Sequence, residues 1–171
     1  MSKLKKMLFG IAFTVWKIPQ SVLLKRLKNY SVLYVIDIDN TLTVSELGNP
    51  LNHSNPTPRA GMIKYVKNLI SCQEKVIYLT ARDFRIKKPT IQWLTTNNIF
   101  DNLTDVFFVQ SAAHKIPYLK YLHQNNKKIV FIDDLSYNHE NGEVKKYAEV
   151  ENIISQMSIE YKGINYIESL V

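Results

Sequence analysis

The chain has one cysteine, few glycines and prolines, and no apolar run long enough to cross a bilayer. The lone thiol, Cys72, excludes an internal disulfide framework and any multi-cysteine metal site; it falls in a helical pattern and reads as a packing residue. Five glycines and six prolines in 171 residues, without tracts or repeats, exclude fibrous, linker-like and solenoid architectures. Acidic residues are outnumbered 22 to 15, giving a net charge of +7, which favours anionic partners such as phosphate esters, nucleic acid or an acidic membrane face. What is present is a 46% hydrophobic composition and one domain's length of chain, enough to bury a real core and too apolar for disorder. Cysteine usage suits a reducing, cytoplasmic compartment.

Residues 1–30 form a distinct opening. Lys3, Lys5 and Lys6 precede the apolar run Met7–Trp16, which Lys17 and Pro19 end. The run is shorter than the roughly 20 residues a membrane span requires. A basic segment carrying Phe and Trp suits a helix lying on an anionic membrane surface, and equally one packed on its own domain or on a partner subunit. It also has a signal peptide's basic start and short apolar centre, without a convincing cleavage site. Ser21 is placed to cap a second short helix over Val22–Lys28.

The stretch Val32–Leu42 organises the remainder. An apolar, β-branched and aromatic run without alternation reads as a strand buried on both faces, and it climbs to Asp37. Functional groups gather at the carboxyl ends of such strands. Asp39 lies two places on and faces the same side if the extended geometry persists; Asn40 and Thr41 follow. Two carboxylates this close need a cation or a shared proton, or else mark a polar turn.

The device recurs. Lys75–Thr80 is a second buried strand, followed by Ala81 and Arg82. Asp105–Gln110 is a third. Lys128–Asp134 is a fourth and ends in two carboxylates, of which Asp133 is favoured to face the pocket, because adjacent side chains point apart. Helical spacing covers Arg59–Cys72, the segment opening at Pro89, Ala112–Gln124 and Val144–Met157; Ile164–Ile167 reads as a last edge strand. Lys115 sits near a helix opening, where a cation is unfavourable for the helix dipole unless an anion lies nearby. Thr43–Pro58 is a polar loop beside the carboxylates, and its His53 reads as a solvated residue. Strand and helix alternate throughout, so the expected fold is α/β: a Rossmann-like three-layer sandwich with a mostly parallel sheet and right-handed crossovers. Every suspicious residue ends a strand or opens a helix and therefore collects at one edge of that sheet.

In order, Asp37-Ile38-Asp39-Asn40-Thr41, Thr80, Lys115 and Asp133-Asp134 resemble the haloacid dehalogenase superfamily of phosphatases, with matching stretches from about Val32 to Asn138. Receiver domains use similar groups in a different order. The resemblance implies a Mg²⁺-dependent phosphomonoester hydrolase. In it Asp37 is the nucleophile that forms an aspartyl-phosphate, and Asp39 the general acid and base with a raised pKa. Thr80 and the Ala81 N–H bind phosphoryl oxygens, and Lys115 neutralises charge. Asp37, the backbone carbonyl of Asp39 and Asp133 hold Mg²⁺, with Asp134 assisting. Thr41 and Arg82 join Ala81 as expected substrate contacts; Arg82 would grip a second anionic group or else form a surface salt bridge.

The segments between motifs hold only elements the core requires, so no separate cap domain is expected. The division is residues 1–30 as an N-terminal segment and 31–171 as the phosphatase domain. An open site suits a bulky phosphorylated substrate (a saccharide, lipid or nucleotide) or small substrates within a homo-oligomer. Two rival uses remain: a catalytically silent phospholipid- or membrane-binding module of the same fold, and a nucleic-acid end phosphatase. The latter is disfavoured because no aromatic-rich basic stripe is visible.

Overall fold

The computed structural model describes residues 20–44, 55–139 and 142–170. The expectations for residues 1–19, for the centre of the Thr43–Pro58 loop and for His53 lie outside them. Five parallel strands form the central sheet: β1 (Leu33–Ile36), β4 (Lys75–Thr80), β5 (Asp105–Phe108), β6 (Ile129–Ile132) and β9 (Glu160–Lys162). Their order is β5-β4-β1-β6-β9, with Leu33 level with both Lys75 and Ile129. The strand carrying the first motif is therefore central. Two two-residue hairpins accompany the sheet, β2 (Thr43–Val44) with β3 (Thr57–Pro58), and β7 (Ser136–Tyr137) with β8 (Lys145–Lys146).

Alternation along each strand builds two cores rather than one. Leu33, Val35, Ile77, Leu79, Phe107, Ile129 and Phe131 point to one face. Val76, Ile36, Tyr78, Val130 and Ile132 point to the other. Both sets are apolar because helices cover both faces, which is why the strands read as continuous apolar runs. The first face receives α4 (Lys115–Asn125) through Leu119 and Leu122, and α5 (Ala148–Ser155) through Val150 and Ile154. The second receives α2 (Ala60–Ser71) through Met62, Ile63, Val66 and Leu69, and α3 (Lys87–Thr96) through Trp93 and Leu94. Pro117 falls in the first turn of α4, where its missing N–H is harmless, because a 3₁₀ turn over Ala112–His114 comes first.

A helix over 20–26, α1, meets the first face through Leu23 and Leu24, with Leu27 buried just beyond it. Gln20 is 2% exposed. Its Oε1 accepts from Phe108 N at 2.7 Å and its Nε2 donates to Phe108 O at 3.1 Å. One amide thus continues the ladder on the outer edge of β5. The described part of the N-terminal segment is packed on its own domain. Among the described residues no helix is long and apolar enough to cross a membrane.

Three expectations are corrected. The last edge strand is Glu160–Lys162, whereas Ile164–Ser169 is a short helix, α6, that buries Ile167 against the second core. The helix expected over Val144–Met157 is confined to Ala148–Ser155, because Lys145–Lys146 pairs with β7. Cys72 caps the end of α2 and is exposed, not packed.

Candidate active site

Asp37 N donates to Ile132 O at 2.9 Å, extending the β1–β6 ladder by one residue and delivering the Asp37 carboxylate at the carboxyl end of the central strand. The chain then turns. Asn40 adopts a left-handed φ of 57°, which asparagine tolerates, and its N–H donates to Thr43 Oγ1 at 3.0 Å. One strand over, Asp133 and Asp134 leave β6, and Leu135 also takes a positive φ, of 46°. Asp37, Asp133 and Asp134 each offer an oxygen within 4.8 Å of the others, and all three are buried.

Lys115, at the first turn of α4 and 3% exposed, bridges the cluster. Its Nζ lies 2.8 Å from Asp37 Oδ1 and 2.6 Å from Asp133 Oδ2. Burial drives the Asp37 carboxyl well above the usual carboxylate range; Lys115 opposes this, while Asp133, Asp39 and Asp134 add to it. Asp133 is raised for the same leading reason, again against Lys115. Burial alone would lower the Lys115 ammonium, but Asp133 and Asp37 outweigh it and the net shift is upward. The site therefore holds more negative charge than its one lysine balances. Three converging carboxylates are hard oxygen donors that fit a hard divalent cation such as Mg²⁺.

Further contacts fix the carboxylates. Asp133 Oδ1 accepts from Leu135 N at 2.9 Å. The backbone carbonyl of Asp133 accepts from Tyr161 Oη at 3.0 Å. Gly163 makes room for that ring, since a Cβ there would meet the tyrosine Oη at 3.0 Å. Asp134 N donates to Thr41 Oγ1 at 3.2 Å, and Ser136 Oγ donates to Asp134 Oδ2. His139 Nε2 stands 2.6 Å from Ser136 Oγ and 3.4 Å from Asp134 Oδ2.

A cavity of about 220 Å³ opens on this edge, lined by Asp37, Asp39, Ala81, Lys115, Asp133 and Asp134 among others. Thr80 ends β4 next to Ala81; its buried hydroxyl has no hydrogen-bond partner among the described residues. Such a group costs about 1–3 kcal/mol when left unpaired, which a ligand oxygen would relieve.

Two of the expected substrate contacts sit elsewhere. Thr41 is fully buried; its hydroxyl accepts from Asp134 N and donates to Asp134 Oδ1 at 3.5 Å, so it braces that carboxylate. The Arg82 side chain has no exposed surface and forks onto Asp39, so it is neither a surface salt bridge nor a hand extended to solvent. The Asp39 side chain stands apart from the three-carboxylate cluster. Sequence reading also passed over Ser136, Tyr137, Asn138, His139 and Tyr147, which line the cavity. Their one signal was the run of polar residues directly after Asp133-Asp134. Tyr137 and Tyr147 stack with ring centroids 4.6 Å apart.

Residues 34–159 match the family described as PITM 1-3, LNS2 domain. No curated protein matches the chain. Among solved structures, a probable YrbI family phosphatase from Pseudomonas syringae is similar at 15% identity and a TM-score of 0.36, over 87% of this chain and 77% of that one. The chain belongs to the PITM 1-3 LNS2 domain family and, as its motifs suggested, to the haloacid dehalogenase superfamily of phosphatases.

Proposed function

We propose that this domain hydrolyses phosphate monoesters through an aspartyl-phosphate on Asp37. The observation that carries the reading is the buried cluster itself. Lys115 holds Asp37 and Asp133 at ion-pair distance beside Asp134, at a sheet edge where a cavity opens.

Asp37 forms the new P–O bond as the bond from phosphorus to the ester oxygen breaks. Asp39 gives that oxygen its proton, so the leaving group departs as an alcohol. Water then attacks phosphorus, Asp39 takes the water's proton, and the Asp37–phosphorus bond breaks to release phosphate. Lys115 balances the carboxylate and phosphoryl charge, and the Thr80 hydroxyl and Ala81 N–H receive phosphoryl oxygens. Asp37, Asp133, Asp134 and the Asp39 carbonyl would hold Mg²⁺. When bound, the ion supplies neutralisation between the nucleophile and the phosphate. Two short hairpins and no further layer flank this edge among the described residues, which favours a bulky substrate such as a phosphorylated saccharide, lipid or nucleotide. Of the N-terminal segment, residues 1–19 are proposed as a contact to an anionic membrane surface, the rest being packed on the domain.

The test is phosphate release from a generic aryl phosphate with Mg²⁺. Asp37→Asn should lose on the order of 10⁴-fold in rate. Equal turnover by variant and wild type would end the proposal.

A further inference from the structure

Arg82 is a buried cation that the steps above leave without a task. Its Nε lies 3.1 Å and 3.0 Å from the two oxygens of Asp39, and its Nη2 lies 2.7 Å from Oδ1. On the other side Nη1 donates to Thr90 Oγ1 at 3.3 Å, and Thr90 is fully buried in α3. The Arg82 side chain has no exposed surface, whereas that of Asp39 is 21% exposed and lines the cavity. A substrate in the cavity can therefore reach the aspartate but not the guanidinium behind it.

The two buried cations divide the carboxylates. Lys115 serves Asp37 and Asp133. Arg82 serves Asp39 and keeps its side chain out of the cluster formed by Asp37, Asp133 and Asp134. An Asp side chain at a wet rim, two residues from the nucleophile, would otherwise have free choice of rotamer and a second cation to approach. A guanidinium fork removes that choice, because two parallel N–H···O contacts fix the plane of the carboxylate as well as its distance. Lysine, a point charge on a flexible stem, cannot do so.

We propose that Arg82 is a positioning residue: anchored on Thr90, it holds the Asp39 carboxyl outside the three-carboxylate cluster and aims it at the departing ester oxygen. The inference rests on the functional reading above, in which Asp39 passes a proton to that oxygen as the P–O bond breaks. It assigns Arg82 to leaving-group chemistry and not to binding a second substrate anion.

The leaving group makes the role measurable. An acidic phenol departs without help, whereas an alkoxide needs its proton. Arg82→Gln and Arg82→Lys are compared with wild type, Asp37→Asn and Asp39→Asn on a nitrophenyl phosphate and a simple alkyl phosphate. Both Arg82 variants should lose about 10²-fold or more in kcat/KM, which reports only the steps up to departure of the alcohol, on the alkyl ester and only a few-fold on the aryl ester, as Asp39→Asn should. The Arg82→Gln/Asp39→Asn double variant should be no slower than the worse single one. A crystal structure of Arg82→Gln should show the Asp39 carboxylate turned from its seat, with thermal melts confirming that the variants fold.

Equal loss in kcat/KM on both esters would overturn the inference. So would a raised KM at unchanged kcat, full rescue by lysine, additivity in the double variant or an unmoved Asp39. Activity that survives Asp37→Asn would instead overturn the nucleophile reading, so the two failures are distinct.

Discussion

Lys115→Met tests whether the site is organised by charge. The wild-type ammonium is 3% exposed and touches two carboxylates that are 5% and 2% exposed, at 2.8 and 2.6 Å. Methionine fills similar volume but leaves Asp37, Asp133 and Asp134 facing one another. Removing one partner of a buried ion pair costs about 3–5 kcal/mol, because the remaining charge stays uncompensated. For a domain of this size that is a fall in Tm of roughly 6–20 °C. The pH dependence has a definite sign. Burial raises the folded-state pKa of Asp37 and Asp133, so between their unfolded values and the folded ones the folded protein binds more protons than the unfolded chain. Their charge repulsion is relieved as pH falls through that window and is fully present above it. The Lys115 ammonium is shifted upward, so its stabilisation is complete at neutral pH and is lost only as pH rises through its alkaline folded value. The Lys115→Met deficit should therefore be largest near neutrality and shrink as pH approaches the carboxylate range. Differential scanning calorimetry in chelator at a neutral and a mildly acidic pH measures it. A deficit below about 1 kcal/mol, or one that does not change with pH, would refute the reasoning.

Two further outcomes follow from described contacts. Mg²⁺ at a hundred times its dissociation constant should stabilise the wild type by about 2.7 kcal/mol, a rise in Tm of roughly 5–11 °C; Asp134→Asn should abolish more than half of it, as differential scanning fluorimetry with and without chelator will show. Gln20→Ala leaves a buried N–H and carbonyl of Phe108 unpaired, so urea titration should show a loss of about 2 kcal/mol, and no change would contradict the edge-capping contact.

Strongly patterned elements were legible before any coordinates. Strands β1, β4 and β6 announce themselves as all-apolar because both of their faces are covered, and such strands place Asp37, Thr80 and Asp133 by rule. Lys115 stood out because a cation at a helix opening needs a nearby anion, and it has two. Short elements were not legible. Ile164–Ile167 is too brief to separate a period of 2 from one of 3.6, and each strand of the β7–β8 hairpin has only two residues. Side-chain partners across the sheet edge were invisible as well. Thr41 meets Asp134, and Arg82 meets Asp39, only after several crossovers have formed. Two adjacent aspartates converge on one cluster, and Leu135 directly after them adopts a positive φ, which its residue type gives no reason to expect.

The central position of β1 also has a temporal meaning. This strand leaves the ribosome before its two neighbours, so Leu33 must wait for Lys75 on one flank and Ile129 on the other. Until both have been synthesised, its greasy backbone edges lie bare in the nascent chain. Any product cut short before Ile129 is therefore a natural client for chaperones, and it lacks the two carboxylates, Asp133 and Asp134, that complete the pocket.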